Sequence, residues 1–355
     1  MEARNVPGAI ASPVRVMLVD DSAVIRGIMR RWIDAERGLD VVASAINGQE
    51  AIAKAKRVQP DIIILDLEMP VMSGMEALPE LRKVCAGAKI LIASTLTTRN
   101  ARASLAAMRA GATDYLAKPD VATSRDAFRL HLVEKLRALG GDANAMCAVE
   151  SGNVVGLSQT KKWRGSMKAL AVGASTGGPQ AINEVFGTLS GKFDDCAVFV
   201  TQHMPAHFTK LLGEDLAQRI GLPGGEAVEG EPVLPGRLYM APGGFHMRVV
   251  DNGGKLRIEL GDEAAINFCK PSVDPTFFSV ARHYQGDCAA VMLTGMGHDG
   301  ARGAKAIHDG GGVVLAQDQA TSAVWGMPGA AIAANAVDRV LQLQKIGPEL
   351  LRLKG

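Results

Sequence analysis

The sequence predicts an α/β protein built from two doubly wound sheets in succession. Short apolar and β-branched runs alternate with segments of helical periodicity along most of the 355 residues, and this alternation fades over residues 139–165. Acidic, hydroxyl and glycine residues repeatedly follow the apolar runs. Alternating strands and helices form parallel sheets whose ligand sites lie at the carboxyl ends of the strands. We therefore expect two domains, residues 14–138 and 166–355, joined by a linker over residues 139–165.

The composition argues against several functional classes. A net charge of only +2 and an aromatic content of 4% are unlike a nucleic-acid-binding protein with a basic, base-stacking face. The five cysteines are scattered without a C-x-x-C pair, so neither a zinc site nor a disulfide framework is indicated, and a reducing cytoplasm is expected. No apolar run approaches the roughly 20 residues that a bilayer requires, so no membrane insertion is expected.

The first domain opens with a strand, two acids and a helix. Val14–Val19 is apolar and β-branched, Asp20-Asp21 follows it, and Ser22 is a suitable N-cap for the next helix. Residues 1–13 have no periodicity and are expected to form a loose lead-in. The predicted strands are Val14–Val19, Asp40–Ala45, Asp61–Leu65, Ile90–Ala93 and Asp114–Ala117, and the predicted helices are Ser22–Ile33, Gly48–Arg57, Gly74–Lys83, Arg99–Ala110 and Arg125–Leu139.

Polar side chains collect at the ends of these strands. Asp20, Asp21 and Asp66 end the first and third strands, Ser94 follows the fourth and Lys118 follows the fifth. Three converging carboxylates repel one another, and hard oxygen ligands of this kind suit Mg²⁺. Bound Mg²⁺ and a nearby lysine would neutralise a phosphoryl group arriving at Asp66.

These residues together resemble a two-component receiver domain. The resemblance covers about residues 14–138 and rests on Asp20-Asp21, Asp66 with Met69-Pro70 and Gly74, Ser94, and Lys118-Pro119. It implies that Asp66 accepts a phosphoryl group from a histidine kinase. It further implies Mg²⁺ ligands at Asp20, Asp21, Asp66 and the backbone carbonyl of Glu68, and switch residues at Ser94, Tyr115 and Lys118.

The second domain repeats the alternation, with an antiparallel hairpin at Asn252-Gly253-Gly254. The basic residues Lys161, Lys162 and Arg164 precede it and are interpreted as a solvated segment. Predicted strands are Ala169–Val172, Ala197–Thr201, Arg237–Met240, Met247–Val250, Lys255–Leu260, Ala289–Leu293 and Val313–Ala316, and helical segments lie near Gln180, Phe208, Pro275 and Gly300.

The segment Gly173-Ala174-Ser175-Thr176-Gly177-Gly178 lies where the first strand of this domain turns into a helix. Glycines on both sides allow a sharp turn that exposes the Ser175 hydroxyl, and the amides of a helix start can face a developing negative charge. The segment is equally compatible with a phosphate cradle, because glycines at helix N-termini also hold nucleotides. Taken alone, the segment leaves both interpretations open.

A hydroxyl nucleophile requires a base and a carboxylate that orients the base. His203 follows the second strand of this domain and Asp299 follows a later one, so both are candidates. A structural role is the default for a histidine, which leaves the role of His203 open on this pattern alone. Asp274 is the competing carboxylate and is interpreted as a helix cap. The remaining histidines lie in helices (His131, His283, His308), open a helix (His207), follow a Gly-Gly turn (His246) or directly precede Asp299 (His298).

Five motifs of this domain resemble the catalytic domain of the chemotaxis protein-glutamate methylesterase. They are Gly-Ala-Ser-Thr-Gly-Gly, Gln-His-Met-Pro, Ala-Pro-Gly-Gly, Pro-Ser-Val-Asp and Leu-Thr-Gly-Met-Gly-His-Asp-Gly. The resemblance implies a Rossmann-like α/β catalytic domain with Ser175 as nucleophile, His203 as base and Asp299 as its orienter. It also implies that the Met296 amide contributes to the oxyanion hole. The chain order Ser, His, Asp differs from the order Ser, Asp, His of ordinary α/β-hydrolases.

The two resemblances imply a phosphorylation-regulated serine hydrolase that gives adaptation in chemotaxis. Its substrates would be glutamate methyl esters on chemoreceptor helices, which release methanol, and specific receptor glutamines, which are deamidated. No cofactor is expected for the esterase reaction. The unphosphorylated receiver would cover the catalytic cleft until Asp66 is phosphorylated. The alternatives are a response regulator with a nucleotide-binding output and one with a non-catalytic output.

Overall fold

The computed structural model describes residues 12–95, 97–118, 125–141 and 166–355. These residues form two compact units, one around each parallel sheet. Most of the expected lead-in, Pro119, the basic residues from Lys161 to Arg164 and nearly all of the expected linker lie outside the described residues. Within the described part of the chain, every helix is too short or too polar to cross a bilayer.

The first sheet has a doubly wound topology. Its strand order is β2-β1-β3-β4-β5 over the described residues, and β1 pairs in parallel with both β2 and β3. The chain therefore reverses direction across the sheet between β1 and β3, which is where such folds bind ligands. The strands are β1 (Val14–Val19), β2 (Leu39–Ala45), β3 (Ile62–Asp66), β4 (Lys89–Ser94) and β5 (Asp114–Ala117).

The helices beside this sheet begin at polar caps. Ser22, Asn47 and Thr97 each accept a hydrogen bond from a backbone amide in the first turn of the helix that follows. Ser73 and Glu76 form a reciprocal capping box. The helices are α1 (Ala23–Asp34), α2 (Gly48–Val58), α3 (Gly74–Val84), α4 (Thr98–Arg109) and α5 (Arg125–Gly140).

The second sheet is parallel and also doubly wound. Its described strands run in the order β14-β13-β12-β6-β7-β9-β8, so the direction reverses between the central strands β6 and β12. The strands are β6 (Ala169–Ala174), β7 (Ala197–Gln202), β8 (Gly224–Glu226), β9 (Leu238–Met240), β12 (Cys288–Met292), β13 (Val313–Gln317) and β14 (Arg339–Leu341). Loops after β6, β7 and β12 therefore meet at one edge, as the sequence predicted.

Helices and a separate hairpin complete this unit. The predicted hairpin is confirmed: β10 (His246–Asn252) and β11 (Lys255–Gly261) pair in antiparallel register, with Asn252 opposite Lys255. Buried aromatic side chains, including Phe199, Tyr239 and Phe277, form part of the core between sheet and helices. The helices are α6 (Gly178–Leu189), α7 (Ala206–Ile220), α8 (Val273–Tyr284), α9 (Ala301–Asp309), α10 (Gly326–Ala333) and α11 (Leu343–Lys354), with a 3₁₀ turn at Gln285–Asp287.

Candidate active site

Three carboxylates converge at the end of the first sheet. Oxygen atoms of Asp20, Asp21 and Asp66 all lie within 4.8 Å of one another, and Asp20 and Asp66 are buried. The Lys118 Nζ atom lies 2.7 Å from Asp20 Oδ2 and 2.6 Å from Asp66 Oδ2. Asp20 Oδ2 is paired with that lysine by charge, yet it accepts no well-directed hydrogen bond from the described residues. Clustered carboxylate oxygens of this kind fit a hard divalent cation.

The charges of this cluster depend on one another. Burial raises the pKa of Asp66 above its ordinary value, although Lys118 opposes the shift. Burial alone would lower the pKa of Lys118, but the carboxylates of Asp66 and Asp20 outweigh it and raise that pKa. The lysine is therefore held as a cation beside Asp66. A cation at this position favours the approach of an anionic phosphoryl group.

The other residues predicted for this site lie on neighbouring strand ends. Ser94 is the last residue of β4 and Tyr115 lies within β5, and both side chains are buried. The Glu68 amide donates to Asp66 Oδ1 over 3.3 Å, which holds the loop after β3 close to the carboxylate. The Ser22 amide donates to Asp20 Oδ1 over 2.8 Å and fixes that carboxylate in the same way.

Ser175 lies on a tight turn between β6 and α6. Its amide donates to Thr294 O over 3.0 Å, and its carbonyl accepts from Gly178 N over 2.8 Å. The Gln202 side chain also donates to the Ser175 carbonyl, over 2.8 Å. Gly177 has φ of +79°, a left-handed conformation that favours glycine. The turn leaves Ser175 half-buried, and its hydroxyl makes no hydrogen bond with the described residues.

His203 and Asp299 form a buried pair at the same edge of the sheet. His203 directly follows β7, next to the end of β6, and its Nε2 atom lies 2.7 Å from Asp299 Oδ2. The histidine side chain is 11% exposed and the aspartate side chain 2%. Such a pair has the arrangement of a base and its orienting carboxylate. Because Nε2 is hydrogen-bonded to Asp299, Nδ1 is the ring nitrogen that can accept a proton from a nucleophile.

The N-terminus of α8 holds the Asp299 carboxylate. The Val273 amide donates to Oδ2 over 2.6 Å, and the Ser272 hydroxyl donates to Oδ1 over 2.7 Å. The positive end of a helix stabilises an anion placed against its first amides. The motif Pro-Ser-Val-Asp, quoted above only for resemblance, thus has a physical role, because it starts the helix that binds the orienting carboxylate.

This environment separates the pKa values of the two residues. Burial alone would raise the pKa of Asp299, but the bonds from His203, Ser272 and Val273 lower it to about 2. Burial alone would lower the pKa of His203, but the bonds to Asp299 and Cys269 raise it to about 9. Asp299 therefore stays ionised, and His203 is a stronger base than an ordinary histidine.

The structure corrects the expectation that Asp274 caps α8. The N-cap is Ser272, and Asp274 lies in the first turn. The buried Asp274 carboxylate instead accepts from Gly303 N over 2.7 Å, which ties α8 to α9. Serine and aspartate are both good caps, so local sequence could not separate them. Among the other histidines, His246 is fully buried and accepts from Ser272 N over 3.1 Å, which is a structural role.

Sequence reasoning missed Ser272 and Cys269. The Cys269 Sγ atom lies 3.3 Å from His203 Nδ1. Neither residue directly follows a strand of the sheet, which is the position that the other site residues share. The Met296 amide, expected in the oxyanion hole, makes no hydrogen bond within the described part of the chain, and the residue is half-buried in the loop after β12.

Comparison with known proteins assigns the family. A model of the CheB methylesterase family matches residues 170–350, and a model of the response regulator receiver domain matches residues 16–127. A protein of Bradyrhizobium diazoefficiens named protein-glutamate methylesterase/protein-glutamine glutaminase of group 2 operon is 43% identical over 97% of this chain and 94% of its own length. The chain belongs to the CheB methylesterase family.

Two further relatives agree with this assignment. A protein-glutamate methylesterase/protein-glutamine glutaminase of Rhodopseudomonas palustris is 43% identical over 96% of this chain and 94% of its own. The crystal structure of the Thermotoga maritima CheB methylesterase catalytic domain is 39% identical with a TM-score of 0.50, covering 53% of this chain and 99% of that one. The predicted family, fold class and enzyme class are confirmed, and a nucleotide-binding or non-catalytic output is not favoured.

Proposed function

We propose that Ser175 is the nucleophile of a methylesterase that acts on glutamate methyl esters of chemoreceptor helices. The Ser175 hydroxyl attacks the side-chain carbonyl carbon while His203 takes its proton at Nδ1. The tetrahedral intermediate collapses, the ester C–O bond breaks, and His203 returns the proton to the leaving methoxide, which departs as methanol. Water then attacks the acyl-enzyme with His203 again as base, which frees glutamate and Ser175.

The same residues support deamidation of receptor glutamines. The tetrahedral intermediate then expels ammonia, protonated by His203, and the acyl-enzyme is hydrolysed as before. The Met296 amide is proposed to donate to the oxyanion in both reactions, because it lies in the loop that carries Asp299 and its N–H is not engaged by the described residues. We also propose that residues 14–138 form the receiver domain and residues 166–355 the catalytic domain.

The single observation that carries the proposal is the bond of 2.7 Å between His203 Nε2 and Asp299 Oδ2, beside the end of the strand that precedes Ser175. A buried histidine with its carboxylate fixed by a helix N-terminus is well suited to activate a hydroxyl.

The experiment is methanol release from methylated chemoreceptor membranes. Ser175→Ala should abolish release, whereas the control Ser190→Ala, an exposed serine at the other end of α6, should release methanol like the parent. Ammonia release from receptors that carry the unmodified glutamines should follow the same pattern. Release that persists in Ser175→Ala with parental rates would overturn the assignment of the nucleophile.

We further propose that Asp66 accepts a phosphoryl group from a chemotaxis histidine kinase and that this relieves inhibition of the esterase. Asp20, Asp21, Asp66 and the Glu68 carbonyl would hold Mg²⁺, which neutralises phosphoryl charge when it is bound. Lys118 contacts Asp66 and would shield the new charge, while Ser94 and Tyr115 would move in response. These roles are supported by the carboxylate cluster and by the match to the receiver family.

Control by Asp66 is testable with a small-molecule phosphodonor. The donor should raise methanol release by the full chain, and Asp66→Asn should remove this increase. Asp40→Asn, at an exposed aspartate in β2, is the matched control and should respond like the parent.

The four cysteines in the described residues are free thiols, which supports the proposed cytoplasmic location.

A further inference from the structure

The general base has a second partner that the reaction above does not use. His203 Nδ1 lies 3.3 Å from the Cys269 Sγ atom, within the range of a sulfur hydrogen bond. Nδ1 is also the atom that must receive the proton of Ser175, because Nε2 is bonded to Asp299. The thiol therefore occupies the one ring nitrogen on which the chemistry depends.

A tight turn fixes the position of this thiol. Ile266 N donates to Cys269 O over 3.1 Å, and Cys269 N donates to Ile266 O over 2.9 Å. The two residues between them, Asn267 and Phe268, have φ of +51° and +63°. Two successive left-handed residues are typical of a type I′ turn, which is rigid and compact. Phe268 at its tip is fully exposed, whereas Cys269 is directed towards the histidine.

The same segment also contacts the carboxylate of the pair. Asn267 Nδ2 lies 3.5 Å from Asp299 Oδ1, and Ser272, three residues beyond Cys269, donates its hydroxyl to that oxygen over 2.7 Å. One short stretch of chain thus approaches both ends of the His203–Asp299 pair. A segment that serves only to connect β11 with α8 would not require these contacts.

We propose that Cys269 is a positioning residue for His203. Its thiol forms a hydrogen bond with Nδ1 that fixes the orientation of the ring, and the Ser175 hydroxyl replaces the thiol at Nδ1 in the reactive state. Sulfur forms weak hydrogen bonds, so a serine hydroxyl can displace it at little cost. The inference rests on the proposed role of His203 as the base of the esterase reaction.

Charge at the base supplies a readout for this role. Within the described residues, the titratable groups that face the ring are Asp299, from the loop after β12, and Cys269. Both raise the pKa of His203, because the protonated ring can donate from Nε2 to the Asp299 carboxylate and from Nδ1 to the Cys269 sulfur. Asp274, on α8, interacts in turn with Asp299. Removing the thiol should therefore lower the pKa of His203. A residue that only fills space would leave the pH dependence of the reaction unchanged.

The test compares Cys269→Ala and Cys269→Ser in the full chain by methanol release across a pH series. In Cys269→Ala the kcat on the alkaline plateau should fall about 3- to 10-fold, because the ring is then held only through Nε2 and is less often in the reactive orientation. KM should be unchanged, and the acid limb should move to lower pH. Cys269→Ser should recover most of the plateau kcat, because its hydroxyl can bond the same nitrogen. Cys196→Ala, at a buried cysteine away from the pair, is the control and should keep the parental profile.

Several outcomes would overturn the proposal. A parental plateau kcat and acid limb in Cys269→Ala would show that the contact has no role in positioning. A raised KM with parental kcat would assign Cys269 to substrate binding, and a raised plateau kcat would make the thiol an obstruction. Thermal unfolding of each variant identifies a folding defect, and Cys269→Ser keeps the test valid if the alanine variant does not fold. Ser175→Ala, run in parallel, tests the proposed function separately, because parental release from it would refute the esterase site whatever Cys269 does.

Discussion

Replacing Asp299 by asparagine tests how the base is held. The substitution keeps the side-chain shape but removes the charge that accepts hydrogen bonds from His203, Ser272 and Val273. An asparagine amide in place of Oδ2 would face the His203 and Val273 N–H donors with a third donor. We expect kcat for methanol release to fall about 10²- to 10⁴-fold on the alkaline plateau, as for loss of the carboxylate in a serine hydrolase triad.

The structure also gives the expected change in stability. A pKa of about 2 for Asp299, against the ordinary 3.8, corresponds to about 2 kcal/mol of stabilisation at neutral pH. Because this pKa is depressed, the contribution is present above 3.8 and is lost as the pH falls through about 2. The pKa of His203 is raised, so its share is fully present below 6.5 and is lost as the pH rises through about 9. The pKa shifts of Asp299 and His203 describe the same interaction, so their contributions to the free energy of unfolding are not added.

The assay is calorimetry of the full chain together with methanol release. Between about pH 4 and pH 6.5, Asp299→Asn should lower the unfolding transition of the second unit by about 4–8 °C and leave the first unchanged. The difference should narrow above the His203 pKa of about 9. Asp251→Asn is the matched control, since an asparagine oxygen can still accept from Gly254 N at that exposed turn. Parental kcat and an unshifted second transition in Asp299→Asn would refute the reasoning.

Three further predictions follow from the site. The acid limb of the kcat/KM pH profile should have its midpoint above 6.5, the ordinary histidine pKa, and towards 9, because neutral His203 is the active base. A midpoint at or below 6.5 would contradict this assignment. Gly295→Ala should lower kcat at least 10-fold, because the added methyl group would lie 2.8 Å from Ser175 Cβ and displace the nucleophile. The control Gly27→Ala, in open space on α1, should keep the parental kcat. Parental kcat in Gly295→Ala would show that the turn adjusts without moving Ser175. Phe268→Asn should raise the free energy of unfolding by about 1 kcal/mol in urea titration, since asparagine tolerates the left-handed backbone and the exposed ring loses no packing; a destabilised variant would mean that the ring does pack.

Much of the site could be predicted because its residues share a simple position. Asp66 ends a parallel strand and Asp20, Ser175, His203 and Asp299 follow parallel strands. The doubly wound topology brings the ends of those strands together. Strand ends can be recognised from local apolar periodicity. Choosing the correct histidine among several, however, required the motif resemblance, because periodicity does not distinguish a base from a structural histidine.

The parts that were missed depend on contacts distant in sequence. Ser272 and Cys269 lie within the segment between β11 and α8, and only the folded chain brings them to Asp299 and His203. Two of the final elements gave weak local signals, because β14 has three residues and α10 is apolar on every side. The third, α11, contains Pro348, which argues against a helix at that position. Short strands and helices without a polar face have little periodicity to detect.

The most direct test of the account is to identify the side chain that attacks the substrate. We would treat the full chain with a fluorophosphonate ester, which traps activated nucleophiles of hydrolases, and locate the adduct by peptide mass spectrometry. We expect labelling at Ser175 that is lost in His203→Ala and retained in Cys269→Ala. Labelling at Cys269, the other nucleophilic group near the His203 ring, or at neither residue in an active preparation, would contradict it.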